Sequence, residues 1–148
     1  MKNIEILSSV NEIDMRAILE VWESSVRATH SFLREEDIVA IKPQVSEGVR
    51  FVSSFACVRD KEDVIQAFMG VHEHKIEMLF VRDEHRAKGL GKMLVLYAIE
   101  KLAVKFVDVN EDNAQAVGFY EHMGFEVFKR SELDSHGDPF PILHMELN

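Results

Sequence analysis

The chain has 148 residues, 47% of them hydrophobic and 29% charged, with a formal net charge of −9 at pH 7. That length suits one domain and is enough to bury about 70% of the unfolded surface in a single core. The acidic balance argues against nucleic acid as a partner. No apolar run is long enough to cross a bilayer, and the early acids of MKNIEILSSVNEIDM argue against a secretory signal, so a cytoplasmic protein without a membrane partner is expected. The single cysteine, Cys57, lies in the apolar run FACV and reads as a small core residue. No repeat, low-complexity tract or linker interrupts residues 1–148, which read as one domain.

IEIL at 4–7 is a short first strand. Asn11 then caps a helix whose Met15, Ile18, Leu19, Trp22 and Val26 fall at helical spacing. RATHSFL at 27–33 ends it. A weaker helical stretch covers about 34–49, with Pro43 expected to break or kink it. FACVRD, the polar turn DKED and VIQAFMGV read as strand, turn and strand. IEMLFV at 76–81 follows a second turn. Strict alternation there turns Ile76, Met78 and Phe80 one way and Glu77, Leu79 and Val81 the other. The loop RDEHRAKGLG leads into a helix with Leu90, Met93, Leu94, Tyr97 and Ala98 on one face. A strand at 105–109, a helix at 113–123 stopped by Gly124, and strands at 125–133 and 142–147 complete the chain. This order predicts an α+β domain with a mixed, mainly antiparallel sheet and helices on both faces.

Arg86-Ala87-Lys88-Gly89-Leu90-Gly91 joins a strand to a helix. The first turn of a helix carries unpartnered N–H groups and the positive end of the dipole, and glycines let an anion approach the backbone. With the charges of Arg86, Lys88 and Lys92, the segment has the makings of a pyrophosphate cradle. It is not a P-loop, because Met93 follows Gly91-Lys92. Nor is it a dinucleotide fingerprint, because Leu94 stands where a third small residue is required. Two glycines also suit a plain tight turn, so the loop alone leaves both readings open.

Three blocks taken in order carry more. Leu79-Phe80-Val81, Arg86-x-x-Gly89-x-Gly91 and Asn113-x-x-Ala116-x-x-Phe119-Tyr120-x-x-x-Gly124-Phe125 resemble the GNAT family of N-acetyltransferases. Arg27-Ala28-Thr29-His30-x-Phe32-Leu33 and Val109-Asn110-Glu111 are similar to a bacterial branch of single-domain members. Ala87 departs from the glycine many members carry there.

The resemblance implies a sheet of about six to seven strands with a cleft where two strands splay, and acetyl-CoA as co-substrate. It implies that backbone groups of Met78, Leu79, Phe80 and Val81 line the pantetheine arm and polarise the thioester oxygen. The amides of Arg86, Ala87, Lys88, Gly89, Leu90, Gly91 and Lys92 would hold the pyrophosphate. Asn113, and Asn110 at the end of the adjoining strand, would bond the pantetheine arm, with Phe119 as packing. Tyr120 would protonate the leaving sulfur.

The resemblance implies direct attack of an amine on the thioester, which requires neither a metal nor a covalent enzyme intermediate. A lysine amine, with a pKa about 10.4, is on the order of one part in 10³ neutral at pH 7, so a base helps. Glu77 is the first candidate, from the expected strand face, and His30, after the first helix, is the second. His72 and His74 at a turn and His122 on the Tyr120 helix read as surface residues. The acceptor is open among an amine-bearing small molecule, a protein lysine and a protein N-terminus, with a monomer or homodimer as the assembly. An acidic surface favours a cationic substrate. A CoA-binding sensor or interaction module with little catalysis is the alternative. A phosphate-binding structural domain would leave the block from Asn113 to Tyr120 unexplained.

Overall fold

The computed structural model describes residues 3–83 and 89–148. In chain order the elements are β1 (Ile4–Ile6), α1 (Glu12–Thr29), α2 (Glu35–Phe51), β2 (Ser54–Arg59), β3 (Ile65–His72), β4 (Lys75–Val81), α3 (Leu90–Lys101), β5 (Phe106–Asn110), α4 (Ala114–His122), β6 (Phe125–Ser131) and β7 (Ile142–Leu147). The strands form one sheet in the order β1-β2-β3-β4-β5-β7-β6. Only the β4–β5 pair among them is parallel. The α+β class and mixed, mainly antiparallel sheet are those expected. None of the described helices is long and apolar enough to cross a membrane.

The helices start where side chains satisfy their first amides. Asp14 N–H donates to Asn11 Oδ1 at 2.7 Å, opening α1, and Asn113 Oδ1 accepts from Ala116 N–H at 3.1 Å, opening α4. Pro43 neither breaks nor ends α2, which runs on to Phe51. The helix is held by burying Ile38, Val45 and Val49, while Pro43 and Val39 face solvent. Water is therefore available to the Val39 carbonyl that lost its donor.

Two apolar layers enclose the sheet. Met15, Ile18, Val21, Trp22 and Val26 of α1 pack with α2 residues on Phe55, Cys57, Ile65 and Phe68. Leu90, Leu94, Val95 and Ala98 of α3, with Tyr120 of α4, pack on Ala56, Met69, Ile76, Val107, Val109 and Met145. Cys57 is fully buried, and burial pushes its thiol up to about 11, so it serves as packing rather than as a nucleophile.

The alternation expected in β4 fails at a β-bulge. Met69 pairs with Leu79 and Gly70 with Met78, but Val71 pairs with Ile76, so Glu77 is the extra residue. Ile76 therefore joins Leu79 and Val81 in the α3/α4 layer, while Met78 and Phe80 join the α1/α2 layer. Two glycines make room for this. A Cβ on Gly70 would lie 2.8 Å from Met78 Cγ, and one on Gly48 would lie 2.8 Å from Met78 Cε.

Candidate functional site

The pairing of β4 with β5 covers only Lys75 with Phe106 and Ile76 with Val107. Beyond these, β4 follows β3 as far as Val81 and β5 follows β7 as far as Asn110. The facing edges part from Glu77 and Asp108 onward and leave β4 backbone groups without a β5 partner. The resulting cleft has a volume of about 1160 Å³. A small-molecule site occupies roughly 300–1,000 Å³, so this cleft lies just above the upper end of that range and suits a long ligand.

One half of the cleft is long, largely apolar and ends at a helix N-terminus. Leu79, Val81, Gly89, Gly91, Lys92, Asn110, Asn113, Phe119 and Tyr120 line it, with Met78 and Phe80 of the same strand. Gly89 caps α3 at φ 80°, a left-handed conformation, with nothing within 4 Å of where a Cβ would project. The first intrahelical bond runs from Met93 N–H to the Gly89 carbonyl at 3.0 Å. The amides of Leu90, Gly91 and Lys92 thus lack intrahelical acceptors, at the positive end of a 12-residue helix. This open, donor-rich turn fits a pyrophosphate. Arg86, Ala87 and Lys88 of the expected cradle lie outside the described residues.

Tyr120 is buried between Phe119 (centroids 5.1 Å) and Phe125 (5.7 Å), both edge-on. Its hydroxyl has no hydrogen-bond partner among the described residues, yet the residue lines the cleft. Burial raises its pKa, so the phenol keeps its proton.

His30 is buried where α1 ends and lines the cleft. Thr29 Oγ1 donates to the Ser25 carbonyl at 2.8 Å, so its oxygen accepts from His30 Nδ1–H at 2.8 Å. That leaves Nε2 as the acceptor for Asn113 Nδ2, 3.4 Å away. Desolvation lowers the pKa to about 4. Asn113 is equally committed, its oxygen to the α4 cap and one amide hydrogen to His30.

Glu77 occupies the bulge and lines the cleft. It sits 3.5 Å from Lys75 Nζ. Lys75 also donates to Asp108 Oδ2 at 2.8 Å. Burial pulls the Lys75 pKa down, but Asp108 and Glu77 more than offset it and the net shift is upward. Asp108 Oδ1 accepts from His144 Nδ1–H at 2.7 Å, and His144 Nε2 meets Ser131 Oγ at 2.7 Å. This chain of Lys75, Asp108, His144 and Ser131 floors the other half of the cleft, and motif reading missed it. Its trace in the sequence was a polar residue at alternate positions of β5 (Asp108, Asn110) and β7 (His144, Glu146). The strand register needed to join them is not visible in one dimension.

The segment between β6 and β7 closes one end. Leu133, Asp134, Ser135 and His136 line the cleft, and Phe140 rests against Phe32 at 6.1 Å. His74 and His122 are exposed, whereas His72 is half-buried against Phe51 at 4.3 Å. Among the described residues, no three His, Cys, Asp or Glu side chains are grouped as metal ligands.

The acetyltransferase (GNAT) family profile matches residues 9–125. The chain is 36% identical over 128 residues to the peptidyl-lysine N-acetyltransferase YjaB of Salmonella typhimurium, covering 86% of this chain and 88% of that protein. Its fold is similar to the solution structure of apo YjaB from Escherichia coli, with a TM-score of 0.83, 31% identity and 97% of both chains covered. The fold is also shared, at a TM-score of 0.68 and 20% identity over 99% of both chains, with the PaiA N-acetyltransferase of Thermoplasma acidophilum solved with coenzyme A.

Proposed function

The chain belongs to the GNAT acetyltransferase family and is an acetyl-CoA-dependent N-acetyltransferase, and from that premise we propose that its acceptor is the side-chain amine of a lysine within a protein. The observation that carries this reading is the charge of the acceptor half. Glu47, Glu77, Asp108 and Asp134 line it against Lys75, an excess of acid that attracts an ammonium group. The relative that YjaB provides, named for peptidyl-lysine acetylation, supports the same class. A cytoplasmic setting goes with this reading.

Acetyl-CoA supplies an activated acyl group with a thiolate leaving group. The amides of the α3 first turn hold the pyrophosphate, and the unpaired β4 edge at Met78–Val81 holds the pantetheine arm and polarises the carbonyl. Tyr120 keeps its proton at neutral pH and delivers it from the hydroxyl to the departing sulfur. Asn113 orients α4, and His30 holds Asn113. With a pKa lowered to about 4 by burial and its Nε2 lone pair turned to an amide that cannot relay a proton, His30 is a poor proton acceptor at pH 7 and acts by positioning. Glu77, at the fork, draws the ammonium towards the acetyl group. Attack is direct, with donor and acceptor bound together.

The test is thiol release from acetyl-CoA with a lysine-bearing peptide, its N-acetylated and lysine-to-arginine forms, free lysine and spermidine. Turnover confined to the peptide with a free lysine side chain is expected. Preference for spermidine or free lysine would reverse the acceptor assignment. Tight CoA binding with no turnover of any amine would favour a sensor module.

A further inference from the structure

We propose that His144, held by Asp108 and Ser131, is the proton acceptor for the amine, with Ser131 as the relay into it; this rests on the acetyltransferase reading above. Three strands build the group. Asp108 on β5 is opposite His144 on β7, and Ser131 ends β6 beside Ile142. The hydrogen bonds at the two imidazole nitrogens are both 2.7 Å, and all three residues are part-buried.

The protonation pattern follows from the partners. An ionised Asp108 only accepts, so Nδ1 carries the hydrogen and Nε2 presents its lone pair to the Ser131 hydroxyl. A carboxylate behind an imidazole fixes its tautomer and stabilises the imidazolium once it forms. Lys75 on the other oxygen of Asp108 keeps that carboxylate oriented. Lys129 is opposite His144 on β6, and Asp134 and His136 face the same space from the β6–β7 segment.

Position ties the group to the reaction. Asp108 is the first β5 residue beyond the last β4–β5 pair, at the fork of the cleft. The same cleft holds Tyr120 on its donor side. Within the described residues His144 thus offers an imidazole lone pair backed by a carboxylate, whereas Nε2 of His30 is turned to Asn113.

The bound R–NH₃⁺ loses one proton through cleft water to Ser131 Oγ as the serine's own proton moves to His144 Nε2, giving R–NH₂ and an imidazolium paired with Asp108. The N–C bond then forms as the C–S bond breaks. The second amine proton ends on sulfur by way of Tyr120, and the imidazolium returns its proton to solvent. The products are the N-acetylated amine, CoA–SH and one proton.

The experiment compares His144→Gln, Ser131→Ala, Asp108→Asn and the His144→Gln/Ser131→Ala double variant with the parent. Single-turnover rates are measured from pH 6 to 10 on an amine the parent acetylates, with acetyl-CoA affinity and circular dichroism as controls. Loss of activity in the parent itself would sink the acetyltransferase reading rather than this one. Expected for His144→Gln is a rate lower by about 10²–10³ at pH 7, shrinking towards the amine's own pKa, with acetyl-CoA affinity unchanged. The double variant should be no slower than His144→Gln, because residues acting as one unit are not additive. Losses below about threefold, or equal at every pH, would overturn the proposal. So would an acetyl group on Ser131 in intact-mass spectra after incubation with acetyl-CoA alone, which would make the serine a nucleophile. If Asp108→Asn fails to fold, His144→Gln and Ser131→Ala still decide the matter.

Discussion

Tyr120→Phe removes one oxygen from a site where little else depends on it. The ring is held by edge contacts with Phe119 and Phe125, at 5.1 and 5.7 Å between centroids, and those survive the change. Among the described residues the hydroxyl has no hydrogen-bond partner to orphan, so stability should move by less than about 1 kcal/mol. Acetyl-CoA affinity should stay near that of the parent. A positioned general acid contributes about 10²–10⁴ in rate, or about 2.7–5.5 kcal/mol of barrier. The drop should fall in that range, measured by rapid-quench single turnover so that product release does not mask it. Isothermal titration with CoA and thermal unfolding serve as controls. A single-turnover rate equal to the parent's, with both controls normal, would remove Tyr120 from the mechanism and leave water as the proton source for the thiolate.

Gly89→Glu brings a carboxylate and a side chain to a residue held at φ 80°, costing about 1–2 kcal/mol of backbone strain and opposing an anion. Acetyl-CoA affinity should fall at least tenfold by titration while the fold persists, and unchanged affinity would disprove the cradle. His30 gives a pH signature: its folded pKa is lowered to about 4 from an ordinary 6.5 by burial, so an unfolded chain takes up a proton that the folded one refuses. Stability from this group is present above pH 6.5, falls as pH drops towards 4, and amounts to roughly 3 kcal/mol at most. Urea unfolding at pH 7 and pH 4.5 should show a steeper loss for the parent than for His30→Gln, and equal slopes would refute the assignment.

What the sequence revealed and what it hid divide along a physical line. Helical spacing, caps and glycine stops act within a few residues, so Asn11, Asn113 and Gly124 marked real boundaries. The Tyr120 block was legible because one helix carries it. The break in β4 alternation was hidden because the bulge depends on Gly70 and Gly48 yielding to Met78, a contact between three elements. The Lys75–Asp108–His144–Ser131 chain was invisible for the same reason, since its members come from four strands joined only by register.

The two apolar layers give the site its division of labour. α3 and α4 pack on one face and bring the α3 first turn and Tyr120 to the cleft. α1 and α2 pack on the other face over β2, β3 and β4, leaving the polar side chains of β5 and β7 open to an acceptor. Where the layers approach each other at the splay, Asn113 Nδ2 meets His30 Nε2. That bond ties the end of α1, which lines the cleft, to the cap of the helix that carries Tyr120. A ligand that shifts the end of α1 therefore bears on the placement of Tyr120 through this buried polar pair. Replacing His30 by a residue without an acceptor would leave an amide hydrogen of Asn113 unsatisfied inside the protein, at a cost of about 1–3 kcal/mol. The loss should appear as a lower single-turnover rate.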